Sequence, residues 1–312
     1  MFGYVLRRLI YTIPVIVGVV VFTFAILHIT PGDPAVIVAG PDASPETLER
    51  IRANLGLDRP VTEQFFTYVG NLLQGDFGRS IISRRSVLGE ITAYFPATIE
   101  LVGVTMIFSV FIGVPLGILA ALNRGKVLDS VFMTIALIGL TMPIFAIGLA
   151  LMWLFGFTWQ ILPIGGRPGT IFEIGMRNLW LPMITLGMAT MGVLARLTRT
   201  TMLEVLDAEY MRTAKAKGLS RFTVIVKHAL KNASLPVITV MGLQFGSLLG
   251  GAVVTETVFN WPGVGRMLIQ SILRKDFPVV QGVVLILALS FVGINLVVDL
   301  IYAYLNPRIQ YS

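Results

Sequence analysis

The chain has 312 residues, 55% of them hydrophobic and 13% charged, with a mean hydropathy of +0.82. A soluble core does not need that much apolar residue and a lipid-facing surface does, so composition excludes an ordinary soluble domain. The bases behind the net charge of +7 lie between apolar runs, not among interleaved aromatics, which argues against nucleic acid; the absence of cysteine excludes disulfides and thiolate metal sites.

A bilayer is crossed by about 20 mainly apolar residues. Six segments qualify: 9–29, 97–122, 130–157 interrupted by Pro143, 179–198 with Pro182 early, 235–255, and 279–305. The first is an uncleaved span and not a signal peptide. Its apolar run is too long for an h-region, and Thr30-Pro31-Gly32-Asp33-Pro34 follows where small residues would mark cleavage. Six spans put both termini on one side. Thirteen of the 24 basic residues fall on that side, among them Arg7, Arg8, Arg124, Lys126 and the cluster between 212 and 231. Five lie on short loops opposite, and the other six lie in the long segment 31–96, where the rule carries little weight. The predicted orientation is N-in, C-in. The predicted organisation is a tail with the first helix (1–30), an extracytoplasmic helical segment (31–96), a five-helix core (97–305) with a cytoplasmic loop at 200–234, and a cytoplasmic tail (306–312).

Residues 31–96 read as folded. Ser44-Pro45-Glu46 supplies an N-cap, a first-turn proline and an early acid for a short helix with Leu48, Ile51 and Leu55 on one face. A second helix carries Phe65, Phe66, Val69, Leu72 and Leu73 and ends at Gly75. The segment is either a cap on the outer ends of the spans or, in addition, a dock for an external partner. Its net charge of −2 names no partner.

Within the spans, Gly113 and Gly117, then Gly242, Gly246 and Gly250, recur at four-residue spacing, with Gln244 and Gly251 alongside. Such positions let helix backbones approach closely. They also keep side chains out of a pathway, and the two uses are compatible. Pro143 and Pro182 are expected to kink their helices. Glu100 and Glu256 fall near the outer ends of spans and Asp299 near an inner end. No acidic pair of the kind found in ion-coupled pumps sits at midplane.

The segment 209–232, EYMRTAKAKGLSRFTVIVKHALKN, is basic and helix-favouring between two apolar runs. Leu219, Phe222, Val226 and Ala229 or Leu230 share one α-helical face, and Gly218 divides the segment into helix, turn and helix. Physical chemistry leaves two uses open: a helix lying on anionic lipid, or a short helix presented to a groove on another protein.

This segment resembles the coupling ("EAA") loop of ATP-binding-cassette importer permeases, whose pattern is Glu-Ala-Ala, three residues, Gly, nine residues, then Ile-x-Leu-Pro. Aligned on Gly218, Arg212-Thr213-Ala214 takes the Glu-Ala-Ala place and His228-Ala229-Leu230-Lys231 the end of the pattern. Ala214, Gly218 and Leu230 match; the Glu and the Pro do not. The longer strings EYMRTAKAKGLS and KHALKNASLP are similar to the dipeptide, oligopeptide, glutathione and nickel group. So are TPGDPA, LGLDRP, GDFGRS, GLQFGSLLGG, FNWPGVGR and NLVVDLIYAYLNP, and the similarity covers essentially the whole chain. The long outer segment resembles that of the first of the two permeases in such systems, with glutathione- and dipeptide-type members nearest.

The resemblance implies an all-α integral membrane protein with the type I importer permease fold, in a bacterial or archaeal cytoplasmic membrane. It implies a second homologous permease, two ATPase subunits that carry ATP and Mg, and an extracytoplasmic peptide-binding protein, with no cofactor on this chain. The coupling residues would be Arg212, Thr213, Ala214, Lys215, Lys217, Gly218, Leu219, Phe222 and Leu230. Those of the pathway or its helix packing would be Pro143, Gly242, Gln244, Gly246, Gly250 and Gly251. A catalytic role is not expected, since no G-x-x-x-x-G-K-[ST] occurs and His28 and His228 are placed on opposite faces. The expected function is peptide import, with nickel or another small solute as the alternative cargo. A self-contained channel or secondary transporter would show midplane ionisable groups or an inverted repeat, and a purely structural scaffold would not need the coupling loop.

Overall fold

The computed structural model describes residues 2–29, 33–40, 43–54, 56–170 and 176–305. Among these every regular element is helical, and β-pairing is limited to an isolated bridge between Arg79 and Ser86. In chain order the helices are α1 (Phe2–Ile29), α2 (Pro34–Ala39), α3 (Pro45–Asn54), α4 (Val61–Leu73), α5 (Val87–Leu122), α6 (Val127–Thr141), α7 (Ile144–Leu151), α8 (Trp180–Asp207), α9 (Glu209–Ala216), α10 (Lys231–Val258), α11 (Val264–Leu273) and α12 (Phe277–Leu305). Among the described residues four helices are long and apolar enough to cross a membrane, and α6 with α7 makes a fifth as a bent pair. Helix α1, where the first span was predicted, has 28 residues, and its apolar stretch Ile10–Ala25 is shorter than those four. The chain forms two compact units: residues 1–96 with 262–293, and residues 97–261 with 294–312.

In the first unit, α2 begins where Asp33 caps its own helix by accepting from the Ala35 N–H at 2.9 Å, with Pro34 in the first turn. The sequence reading passed over this Asp-Pro signal. Asp33 also takes the Arg52 guanidinium, and that bond holds its carboxyl below the usual carboxylate range. Ser44 caps α3 as expected, its hydroxyl accepting from the Thr47 N–H at 3.3 Å; Leu55 lies outside the described residues. Helix α4 ends before Gly75, where φ is +77°, and packs Phe65 edge-on against Phe24 of α1. Tyr68 shares a 3.2 Å hydrogen bond with Thr23. Phe66 and Leu73, expected on the same face, instead point outward. Val87, Ile91, Val264, Met267, Val279 and Val283 bury one another. That burial explains why α5 starts at Val87, ahead of its apolar run.

In the second unit α8 is the central helix. Of its most apolar stretch 67% is buried, against 33–39% for the other three long spans. Small residues place it there. A Cβ on Gly113 would lie 2.7 Å from the Met191 carbonyl oxygen, and one on Gly117 2.4 Å from that of Ala195. On its other side, Gly192 of α8 meets the Ala136 carbonyl of α6, and Gly139 of α6 meets that of Met188. The third predicted span is not a kinked rod but turns by 109° between α6 and α7. Pro143 offers no N–H to continue α6, and the residue before it, Met142, is extended at φ −78°, ψ 137°. Pro182 does not kink α8. It sits in the first turn, where a missing N–H breaks no intrahelical bond.

Gly117→Val is expected to cost about 1–3 kcal/mol through overpacking, read as a lower thermal midpoint of the solubilised protein. Gly250→Ala, whose added carbon meets nothing within 4 Å, is expected not to lower it.

Candidate functional site

Helix α8 stops at Asp207 because Ala208 is extended (φ −67°, ψ 147°). Helix α9 follows at once, and the chain then turns at Gly218, where φ is +76°, a backbone state that glycine adopts without strain. Ser220 caps the next piece, its hydroxyl accepting from the Thr223 N–H at 3.3 Å. A helical turn, Arg221–Thr223, and a π-helical segment, Val224–Leu230, lead without a break into α10. Asn232 of α10 donates to the Tyr210 hydroxyl at 2.9 Å, tying the two sides of the turn together.

This segment has two unlike faces. Met202, Met211, Val224, Ala229 and Ala233 form one buried cluster with Ala121 of α5. Ala214 is also buried, at 8% exposure. On the outside Leu219, Phe222 and Val226 stay 40%, 75% and 43% exposed. The α-helical spacing had offered Ala229 or Leu230 as the end of their face, and of the two only Ala229 is fully buried. The π segment explains the difference: its wider turn delays rotation, so Ala229 swings to the buried side. Arg212, Thr213, Lys217 and Gly218 are exposed and Leu230 is half-buried. The side chains of Lys215 and Asp299 lie outside the described residues.

The end of α8 that leads into this segment is held to α6 by a charge pair absent from the sequence reading. Asp129, 5% exposed, accepts two bonds from Arg199 of α8, each at 2.7 Å, and one from the Gly125 N–H at 3.1 Å. Arg124 reaches Asp207 at 3.1 Å, where α8 hands over to α9. The signal for Asp129 was an acid in the first turn of an apolar helix; its partner lies 70 residues away, beyond the reach of local pattern.

The other end of this unit is polar and closed. Trp261, 1% exposed, donates from Nε1 to the Ala97 carbonyl at 2.9 Å. Thr98 donates to the buried Glu256 at 2.6 Å, and Arg167 pairs with Glu100 at 2.5 Å. From Ala97 to Ala121 the helix climbs about 36 Å, more than the roughly 30 Å hydrocarbon core, so this cluster and the turn segment sit at opposite ends of a membrane-length helix.

The glycine stripe on α10 divides. Gly242 and Gly246 are buried, and a Cβ on Gly242 would lie 2.0 Å from Cγ1 of Val298. Gly251 approaches Leu186 at 3.0 Å. Gly250 is exposed with open space beside it, Gln244 is half-buried, and Pro143 sits in the break between α6 and α7.

A multi-pass helical membrane protein that carries a packed helix-turn-helix between two core spans has the architecture of a transport subunit. Residues 113–311 match the family of binding-protein-dependent transport system inner membrane components, and residues 1–102 match its N-terminal counterpart. The glutathione transport system permease protein GsiC of Salmonella choleraesuis is 46% identical and that of Escherichia coli 45%, each over 312 residues and 100% of both chains. The fold is shared with the inward-facing MetNI methionine ABC transporter (TM-score 0.58, 18% identity, 70% of this chain and 97% of that one). It is shared as well with an amino acid ABC transporter (TM-score 0.53, 14% identity, 70% and 94%). The chain therefore belongs to the inner membrane components of binding-protein-dependent transport systems, the permeases of ATP-binding-cassette importers. Within them it is a member of the dipeptide/glutathione group.

Asp129→Ala leaves Arg199 half-buried without its carboxylate and is expected to cost roughly 3 kcal/mol. Arg124→Ala breaks a pair whose side chains are 63% and 71% exposed and is expected to cost less than about 1 kcal/mol. Thermal unfolding of the two variants side by side checks the ranking.

Proposed function

We propose that this permease forms half of the translocation pathway of an ATP-driven importer of short peptides, glutathione among them. A second homologous permease supplies the other half, two ATPase subunits carrying ATP and Mg supply the energy, and an extracytoplasmic binding protein delivers the solute. Both termini and the coupling segment face the cytoplasm, as the distribution of basic residues requires. The full-length similarity to permeases named for glutathione transport supports the peptide reading.

One observation carries the coupling role: Leu219, Phe222 and Val226 stand exposed on a segment whose reverse face is buried in the chain's own core. An interfacial helix on lipid needs a long apolar face, whereas here an eight-residue helix turns sharply at Gly218. A short apolar knob rimmed by Arg212, Lys217 and Lys227 fits a groove on another protein. Burying Phe222 there returns about 1.5–3 kcal/mol, and the rim charges govern docking rate more than affinity. When ATP binding draws the two ATPases together, each coupling segment moves with its groove. Because this segment is continuous with α10 and packed on α8, the motion reaches both spans as a rigid displacement. The pathway then opens outward and the delivered solute enters.

Gly218→Pro is expected to separate ATP hydrolysis from transport, because proline holds φ near −65° and position 218 needs +76°. In proteoliposomes holding the full transporter, hydrolysis should persist while peptide uptake falls to background. Normal uptake by that variant would contradict the coupling assignment.

A further inference from the structure

The net charge of the outer segment conceals a local separation of charge. In its first half two of the three bases are paired, Arg52 with Asp33 and Arg59 with Glu63. In its second half they are not. Residues 75–86 fold against α11 and its C-terminal turn, leaving a cleft of about 280 Å³ lined by Ser80, Glu90, Tyr94, Arg266, Gln270 and Arg274. Asp276 holds the two sides together. It is 4% exposed and accepts from the Ser80 hydroxyl at 2.5 Å, the Ile81 N–H at 3.0 Å and the Ile82 N–H at 3.5 Å. That tie brings the loop that carries Arg79, Arg84 and Arg85 against the turn that carries Arg274 and Lys275. All five are exposed, and none forms an ion pair among the described residues.

The two acids that line the cleft, Glu90 and Asp276, offset only part of the charge of these five bases. Asp276 is committed to its three donors, and Glu90 accepts from the Ser83 hydroxyl at 2.6 Å. Arg84 and Lys275 hold φ at +61° and +57°, a conformation costly for residues with a side chain. The fold thus maintains like charges at close quarters, and a partner bearing carboxylates relieves their repulsion.

We propose that this basic cleft is the docking point for an acidic surface loop of the external solute-binding component. The inference rests on the permease reading above and adds where and by what chemistry that component meets this chain. A cleft of about 280 Å³ takes one or two carboxylate side chains from a convex loop.

The test measures association of the purified solute-binding component with the complete transporter in phosphatidylcholine nanodiscs, over a range of salt. The wild type should bind fast at low salt and lose rate steeply as salt rises. Arg274→Glu with Lys275→Glu should slow association roughly tenfold or more and flatten the salt dependence. Arg85→Glu, on the loop that borders the cleft, should act in the same direction, and gel filtration verifies that each variant assembles. Arg50→Glu, an exposed base on α3, should bind as wild type does. Docking by both cleft variants at the wild-type rate overturns the proposal. So does an effect that appears only when phosphatidylglycerol is added, which would mark the cleft as a headgroup site. If the wild-type transporter itself fails to bind the solute-binding component, the permease reading falls rather than the cleft alone.

Discussion

Lipid gives helices no hydrophobic reason to associate, so a membrane core must be built from close backbone approach. In this chain that constraint is met around one helix. Gly113 and Gly117 admit α8 from one side, and Gly139 and Gly192 let α6 and α8 touch on the other. Where the glycines end, the buried Asp129–Arg199 pair fixes the last turns of α8 to the first turn of α6. Everything distal to that clamp inherits its position: Asp207, the break at Ala208, and the coupling helix behind it.

The functional consequence is mechanical. A lever must be stiff between the point where force enters and the point where it acts. Here the buried side of the coupling segment, Met211 and Val224 with Met202 of α8, shares one cluster with Ala121 of α5. The continuous helical path from Arg221 into α10 then carries displacement along a second span. In the coupling role proposed above, the exposed knob at Leu219 and Phe222 is where force would enter. The division of labour is chemically clean: a surface apolar enough to seat in a groove, and a reverse face that leaves no slack. At the far end of the unit, Trp261 on Ala97 and Arg167 on Glu100 close the structure with directional bonds.

Much of this was legible in the sequence because it is local. Apolar runs gave the spans, Ser44 and Gly75 marked helix ends, and Gly218 marked the turn. What was not legible depends on distant partners. Pro143 signalled a break, but the 109° turn reflects where α7 packs, with Gly148 between Phe259 and Thr185. The face of Leu219, Phe222 and Val226 was legible, but its end stayed open between Ala229 and Leu230 because a π turn cannot be read from α-helical spacing. Asp129 and Asp276 each find their partners across long stretches of chain, the latter from 196 residues away. The segment charge of −2 averaged over two halves that behave oppositely. Pro182 shows the reverse case, a correct residue with the wrong consequence, because its effect depends on where in the helix it falls.

The central claim is that the coupling segment and α8 move as one body. The chain contains no cysteine, so spin labels at Arg196→Cys on α8 and Lys227→Cys on the coupling segment report a single distance. That distance should be measured in the assembled transporter without nucleotide and again with ATP held unhydrolysed. The account predicts the same narrow distribution in both states. A shift or broadening on ATP binding would show the segment flexing against its own core, and the lever described here would not exist.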